Sequence, residues 1–172
     1  MPRARTRTLL VAGLTLGSLL IATPVRAEVT ALEITLFMPC DRETAERAIA
    51  AVEQVPGVEK VVAAAGDLRV RVLLEPEFGD DPLTLVQLLW EMKIYPNRIY
   101  LEAEGRFEES GARLRVAPER AFDIVDPVSA AATAAERVWV RAEVLDWIED
   151  RIPPRDKQYT LRIEKLEIVR SP

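Results

Sequence analysis

The residue types with the greatest capacity for chemistry are few in this sequence. The chain of 172 residues contains one cysteine, Cys40, and no histidine. Without histidine, the usual zinc-enzyme ligand sets and the Ser-His-Asp and Cys-His catalytic arrangements are excluded. With one cysteine, no intrachain disulfide can form. Cys40 is therefore the principal candidate, and the chemistry it offers is that of a single thiol.

Cys40 lies between a predicted strand and a predicted helix, a position that affects the chemistry of its thiol. Met38 precedes it by two residues and Glu43 follows it by three. Cys40 or Asp41 is expected to cap the helix that begins here, and a helix N-terminus lowers the pKa of a thiol. Thiolates are ligands for soft metal ions. Met38 is interpreted as a core residue beneath this loop, because methionine fills irregular gaps.

Acidic pairs elsewhere in the chain give a weaker indication of chemistry. Asp80 and Asp81 are adjacent, as are Glu108 and Glu109. Sequence neighbours do not have to converge in space, so these carboxylates are interpreted as solvated loop charges. No Gly-x-Gly-x-x-Gly motif is present. We therefore expect no catalytic residues and a protein that is not an enzyme.

The first 27 residues have the layout of a secretory signal peptide. Arg3, Arg5 and Arg7 precede an apolar run at 9–21, and small residues lead to a cleavage site after Ala27. The apolar run is shorter than the ~20 residues that cross a bilayer as a helix. The sequence therefore predicts a periplasmic or secreted protein with no stable membrane insertion after cleavage.

The charge of the chain limits the class of partner. Cleavage would change the formal net charge from −5 to −9, because residues 1–27 contain four arginines and no acidic residue. Binding to nucleic acid depends on Lys and Arg contacts to phosphates. We therefore predict no nucleic-acid partner, and protein or cationic partners stay open.

Six elements are predicted in residues 28–104, from apolar residues that alternate in strands and recur at helical spacing. They are a strand at 32–36, a helix at 45–55, two hairpin strands at 58–65 and 68–74, a helix at 85–92 and a strand at 99–103. Two right-handed β-α-β halves place four strands in one antiparallel sheet with both helices on one face. The predicted fold class is α+β, and the first domain is ferredoxin-like.

The remainder, 105–172, is predicted to be a second, small β-rich domain. If the strand at 97–109 continues past Gly105, this half has five strands with a helix between the third and the fourth. That arrangement is typical of an OB-like barrel. The alternative is a β-rich meander packed on the first sheet.

Residues 31–43 resemble the metal-binding segment of heavy-metal-associated domains, in which a strand is followed by Met-x-Cys-x-x-Cys. The Pro56-Gly57-Val58 turn and the Tyr95-Pro96 step are also similar to that family, so the resemblance covers about 29–104. Glu43 stands where the family has its second cysteine. The resemblance implies a soft-metal site for Cu(I) or Hg(II), with Cys40 and Glu43 as its metal residues.

Two functions follow as expectations. The first is an exported heavy-metal-associated-like protein that handles a soft metal through the Cys40 thiolate, with a second thiolate from another subunit or a partner. The second is a metal-independent interaction or assembly module in which Cys40 is a relic. A mixed-disulfide role for the lone thiol is a third interpretation of Cys40. All of them predict a protein partner or a homodimer.

Overall fold

The computed structural model describes residues 28–38, 41–63, 66, 68–76, 78, 80–146 and 159–170. The predicted signal peptide and Cys40 lie outside these ranges. The strands are β1 (Glu28–Leu36), β2 (Val58–Ala63), β3 (Arg69–Leu74), β4 (Pro96–Glu108), β5 (Arg113–Ala117), β6 (Arg120–Ile124), β7 (Val138–Val144) and β8 (Thr160–Ile168). The α-helices are α1 (Arg42–Val52), α2 (Thr84–Glu91) and α3 (Ala130–Thr133), and a 3-10 helix spans Glu109–Gly111.

All eight strands belong to one sheet, in the order β2-β3-β1-β4-β5-β6-β8-β7. Strand β4 also pairs with β7, so that five strands, β4, β5, β6, β8 and β7, close into a barrel. Neighbouring strands are antiparallel except β6 and β8, which are parallel. Strands β1, β3 and β2 extend the sheet away from the barrel.

The predicted fold class, an α+β ferredoxin-like domain followed by a separate β-rich domain, is wrong. The sheet does not end at β4, because Leu101 pairs with Leu32 of β1 on one side and with Ala142 of β7 on the other. Strands account for 48% of the described residues and helices for 21%, so the fold is mostly β. The coarser expectation of a β-rich, barrel-like fold in the second half is confirmed.

Strand β4 is long enough to pair with strands in both parts of the sheet. It pairs with β1 up to Glu104 and with β5 from Arg106 onward. Between these positions lies Gly105, where an added Cβ would be 2.4 Å from the carbonyl oxygen of Arg115. The absence of a side chain at Gly105 therefore lets β5 approach β4 closely at the point where the barrel begins.

One hydrophobic core runs through the described part of the chain. Alternate residues of β1 such as Leu32 and Ile34 are buried, and helices α1 and α2 contribute Val52 and Leu89. The same cluster continues into the barrel, where Leu161 of β8 is completely buried. The other face of the sheet carries the charged residues. Within the ranges that the structure describes, no helix is both long and apolar enough to cross a membrane.

Candidate functional site

The residues around the predicted metal site occupy the junction between β1 and α1. Met38 is 67% exposed, so its interpretation as a core residue is wrong. Glu43 lies in the first turn of α1 and is exposed. Among the residues that the structure describes, no three His, Cys, Asp or Glu side chains are grouped so that they could hold a metal ion. Because Cys40 lies outside those residues, the Cys40–Glu43 site stays a prediction.

Asp41 fixes the start of α1 directly after position 40. Its carboxylate accepts hydrogen bonds from the backbone N–H of Thr44 at 2.7 Å and from the Thr44 hydroxyl at 2.9 Å. These bonds stabilise the charged carboxylate and hold the pKa of Asp41 below its ordinary value. The expectation that Cys40 or Asp41 caps the helix is therefore met by Asp41.

Three chain segments meet at this end of the sheet. The N–H of Leu36 donates to the carbonyl of Leu68 at 2.8 Å, and the N–H of Phe37 donates to the carbonyl of Tyr95 at 3.1 Å. These bonds bring together the end of β1, the residue before β3 and the residue before β4. The backbone thus holds three surface segments in fixed relation.

Four exposed apolar side chains are concentrated on these segments, and we call them the apolar tip: Phe37, Met38, Leu68 and Tyr95. Phe37 is 61% exposed, Leu68 45% and Tyr95 40%. They are four of the seven large apolar side chains that are exposed in the described part of the chain. Single exposed apolar residues are ordinary, whereas a contiguous group of them is uncommon on a protein surface.

A cleft of about 170 Å³ opens beside the apolar tip. It is lined by Phe37, Met38, Asp41, Thr44, Lys93, Ile94 and Tyr95. One wall is held in place by an edge-to-face contact between Trp90 and Tyr95, whose ring centroids are 4.9 Å apart. Since a cavity of about 150 Å³ holds a benzene molecule, this cleft has room for a group the size of one apolar side chain.

The face of the sheet opposite the hydrophobic core carries a polar cluster. Arg141 of β7 donates to Glu33 of β1 at 2.9 Å and lies 3.4 Å from Glu102 of β4. Arg71 of β3 donates to Glu102 at 3.0 Å, and the Arg141 guanidinium stacks over Tyr100. These charges satisfy one another across four strands. The cluster therefore contributes to the cohesion of the sheet.

The carboxylate pairs noted in the sequence do not form a site. Asp81 accepts a hydrogen bond from the backbone N–H of Leu83 ahead of α2. Glu108 receives two contacts of 2.8 Å from Arg115 on the outside of the barrel. The two pairs thus have separate local partners, as expected for surface charges.

The apolar tip was not predicted from the sequence. Met38 was interpreted as a core residue, and the other three side chains were not expected to be exposed. The alternation of β1 did contain a signal for Phe37. Glu33 and Thr35 occupy the solvent-side positions of the strand, and Phe37 is the next residue with the same parity. Leu68 and Tyr95 gave no comparable signal, because their exposure depends on how the segments meet.

Comparison with protein families, with curated proteins and with solved structures found no match for this chain. The resemblance to heavy-metal-associated domains therefore stays a prediction.

Proposed function

We propose that this protein is an exported, non-enzymatic binding module that docks a protein partner through the apolar tip. The observation that carries the proposal is the group of four exposed apolar side chains, three of which (Phe37, Met38 and Tyr95) line a cleft of about one side chain's volume. Interface centres are enriched in aromatic residues and methionine, and the tip supplies Phe37, Tyr95 and Met38. No metal is needed for this function.

We also propose that the barrel is of the OB type, as the sequence predicts. In chain order its strands are β4, β5, β6, β7 and β8. Around the barrel the order is β4-β5-β6-β8-β7, so the fifth strand lies between the third and the fourth. The third and fifth strands are parallel, and α3 lies between the third and fourth. These features support an OB-like barrel that acts as a rigid support for the apolar tip.

Site-directed photocrosslinking in the source cells tests the docking proposal. A photoreactive phenylalanine analogue replaces Phe37 in one variant and Val125 in another, because Val125 is also exposed but lies after β6 on the barrel. We expect a discrete adduct of defined mass from position 37 and none from position 125. Equal adducts from both positions, or none from position 37, would contradict docking through the apolar tip.

Soft-metal handling is the second candidate, and the exposure of Met38 favours it. The thioether of Met38 is available to solvent two residues from Cys40, and thiolate and thioether are both soft ligands. Titration of the reduced protein with Cu(I) against a competing chelator tests this candidate. We expect binding that is lost in Cys40→Ala and weakened in Met38→Leu. Unchanged binding in Cys40→Ala would contradict it.

A further inference from the structure

Two arginines flank a threonine at the base of the apolar tip. Thr35 of β1 is opposite Arg69 of β3 on one side and opposite Arg98 of β4 on the other. All three residues are on the face of the sheet opposite the buried core. Because neighbouring strands are about 4.8 Å apart, the Cα atoms of the two arginines are roughly 10 Å apart. We call these three residues the arginine row.

The arginine row differs from the other charges on this face in being only weakly paired. Arg69 has no ion-pair partner in the ranges that the structure describes. Arg98 is 59% exposed, and its guanidinium lies 3.7 Å from the carboxylate of Glu143. By contrast, Arg71 and Arg141 each donate to a carboxylate at 3.0 Å or less. Arg69 and Arg98 therefore have donors available for a ligand.

The cleft is lined by one cation, Lys93, and one carboxylate, Asp41. Lys93 lines the cleft and forms no ion pair with any described residue. Asp41 is the one acidic residue among the lining residues, and Thr44 occupies its carboxylate with two hydrogen bonds. The apolar tip thus lies beside three cations, Arg69, Arg98 and Lys93, and one carboxylate whose hydrogen bonds are directed to the start of α1, in a protein whose net charge is −5.

From this complementarity we infer that the apolar tip and the arginine row together form a docking surface for an acidic, apolar segment of a protein partner. The inference rests on the proposed function and names the chemistry of the partner. One apolar side chain of the segment fills the cleft. Its carboxylates bind Arg69 and Arg98, since arginine forms charge-assisted, bidentate hydrogen bonds with carboxylates. Lys93 binds a further carboxylate at the mouth of the cleft.

Two fluorescent peptides of eight residues provide the probe. One alternates Glu with Phe, and the other alternates Lys with Phe, so that they differ only in charge. Fluorescence anisotropy with the mature protein measures their affinities at low and high salt. We expect the Glu–Phe peptide to bind more tightly, with an affinity that falls as salt screens the charges. Equal or tighter binding of the Lys–Phe peptide would overturn the inference.

Matched variants locate the binding surface. Arg69→Glu and Arg98→Glu are each expected to weaken binding of the Glu–Phe peptide about tenfold. Arg106→Glu is the control, because Arg106 is an exposed arginine on the barrel whose substitution changes the net charge equally. A similar loss in Arg106→Glu would show an effect of net charge alone and would overturn the inference.

The two experiments fail in different ways. Photocrosslinking from position 37 without binding of the Glu–Phe peptide would leave the docking function standing and reject an acidic partner. Binding of the Glu–Phe peptide that is insensitive to Phe37→Ser would reject the cleft as the place of its apolar side chain. Absence of both crosslinks and peptide binding would reject both proposals.

Discussion

Tyr159 places a hydroxyl group inside the apolar core at the start of β8. The residue is 4% exposed, and its hydroxyl has no hydrogen-bond partner among the described residues. Burial raises the pKa of Tyr159, and the carboxylate of Asp81 raises it further. A buried donor without a partner costs folding free energy, because water no longer solvates it.

We therefore expect Tyr159→Phe to increase the free energy of unfolding by about 1 kcal/mol, measured by urea denaturation at pH 7. Tyr100→Phe is the matched control, because Tyr100 is also buried but its hydroxyl is not among the buried polar groups of the described residues that lack a partner. The control should lose stability or stay unchanged. A clear loss of stability in Tyr159→Phe would show that its hydroxyl has a partner.

The buried hydroxyl of Tyr159 should also make the stability of the protein depend on pH in the alkaline range. An unfolded tyrosine ionises near its ordinary pKa of 10, whereas the folded form of Tyr159 keeps its proton to higher pH. The stability of the wild-type protein should consequently fall as pH rises above about 10, and this part of the loss should be absent in Tyr159→Phe.

At the residue scale, the sequence was most informative about local chemistry. The capping role of Asp41 was foreseen as one of two choices, because it depends on Thr44, three residues away. The exposure of Met38 was not foreseen. Its exposure depends on which segments come together at the end of the sheet, and the sequence near position 38 does not indicate which segments these are.

Across the strands, the ion pairs between β1, β4 and β7 stabilise the sheet that joins the barrel to the outer strands. The hydrogen bond from Arg141 is the main cause that lowers the pKa of Glu33 below its ordinary value of 4.5. A carboxyl group with a lowered pKa contributes stability above its unfolded pKa and loses it as pH falls through the folded value. The contribution of Glu33 should therefore be complete at neutral pH and decline below about pH 4.5.

Glu33→Gln tests this contribution. We expect a loss of about 1 to 2 kcal/mol at pH 7 in urea denaturation, and a smaller decline of stability below pH 4.5 than in the wild type. Glu46→Gln is the control, since Glu46 pairs with Arg42 on the exposed surface of α1 and such pairs contribute little. Equal losses in the two variants would contradict a special role for the cross-strand pair.

The order of elements in residues 28–104 could be predicted because alternation and helical spacing record which face of each element is buried. The sequence of a strand does not indicate in the same way which other strand pairs with each of its edges. The alternating residues of β4 are compatible with a strand at the edge of the sheet and with one that has neighbours on both sides. Only the pairing of Leu101 with both Leu32 and Ala142 decides between them, and it involves residues far apart in sequence.

For the whole molecule, the central question is whether the barrel and the outer strands unfold together. The sequence placed a domain boundary after residue 104, which falls inside β4. Trp90 of α2 and Val140 of β7 pack into or against the same hydrophobic cluster, and β4 has strand partners on both edges along residues 100–104. Separating the two parts would expose apolar surface and break the hydrogen bonds of a central strand.

We therefore expect one cooperative unfolding transition, reported equally by two tryptophans. A variant that retains only Trp90 (Trp139→Phe with Trp147→Phe) reports on α2, and one that retains only Trp139 (Trp90→Phe with Trp147→Phe) reports on β7. Circular dichroism of each variant gives its global midpoint in urea, and the tryptophan fluorescence of that variant should have the same midpoint. A fluorescence midpoint for Trp90 that differs from the global midpoint, with an intermediate plateau, would instead show two independently folding domains that share a strand only in the native state.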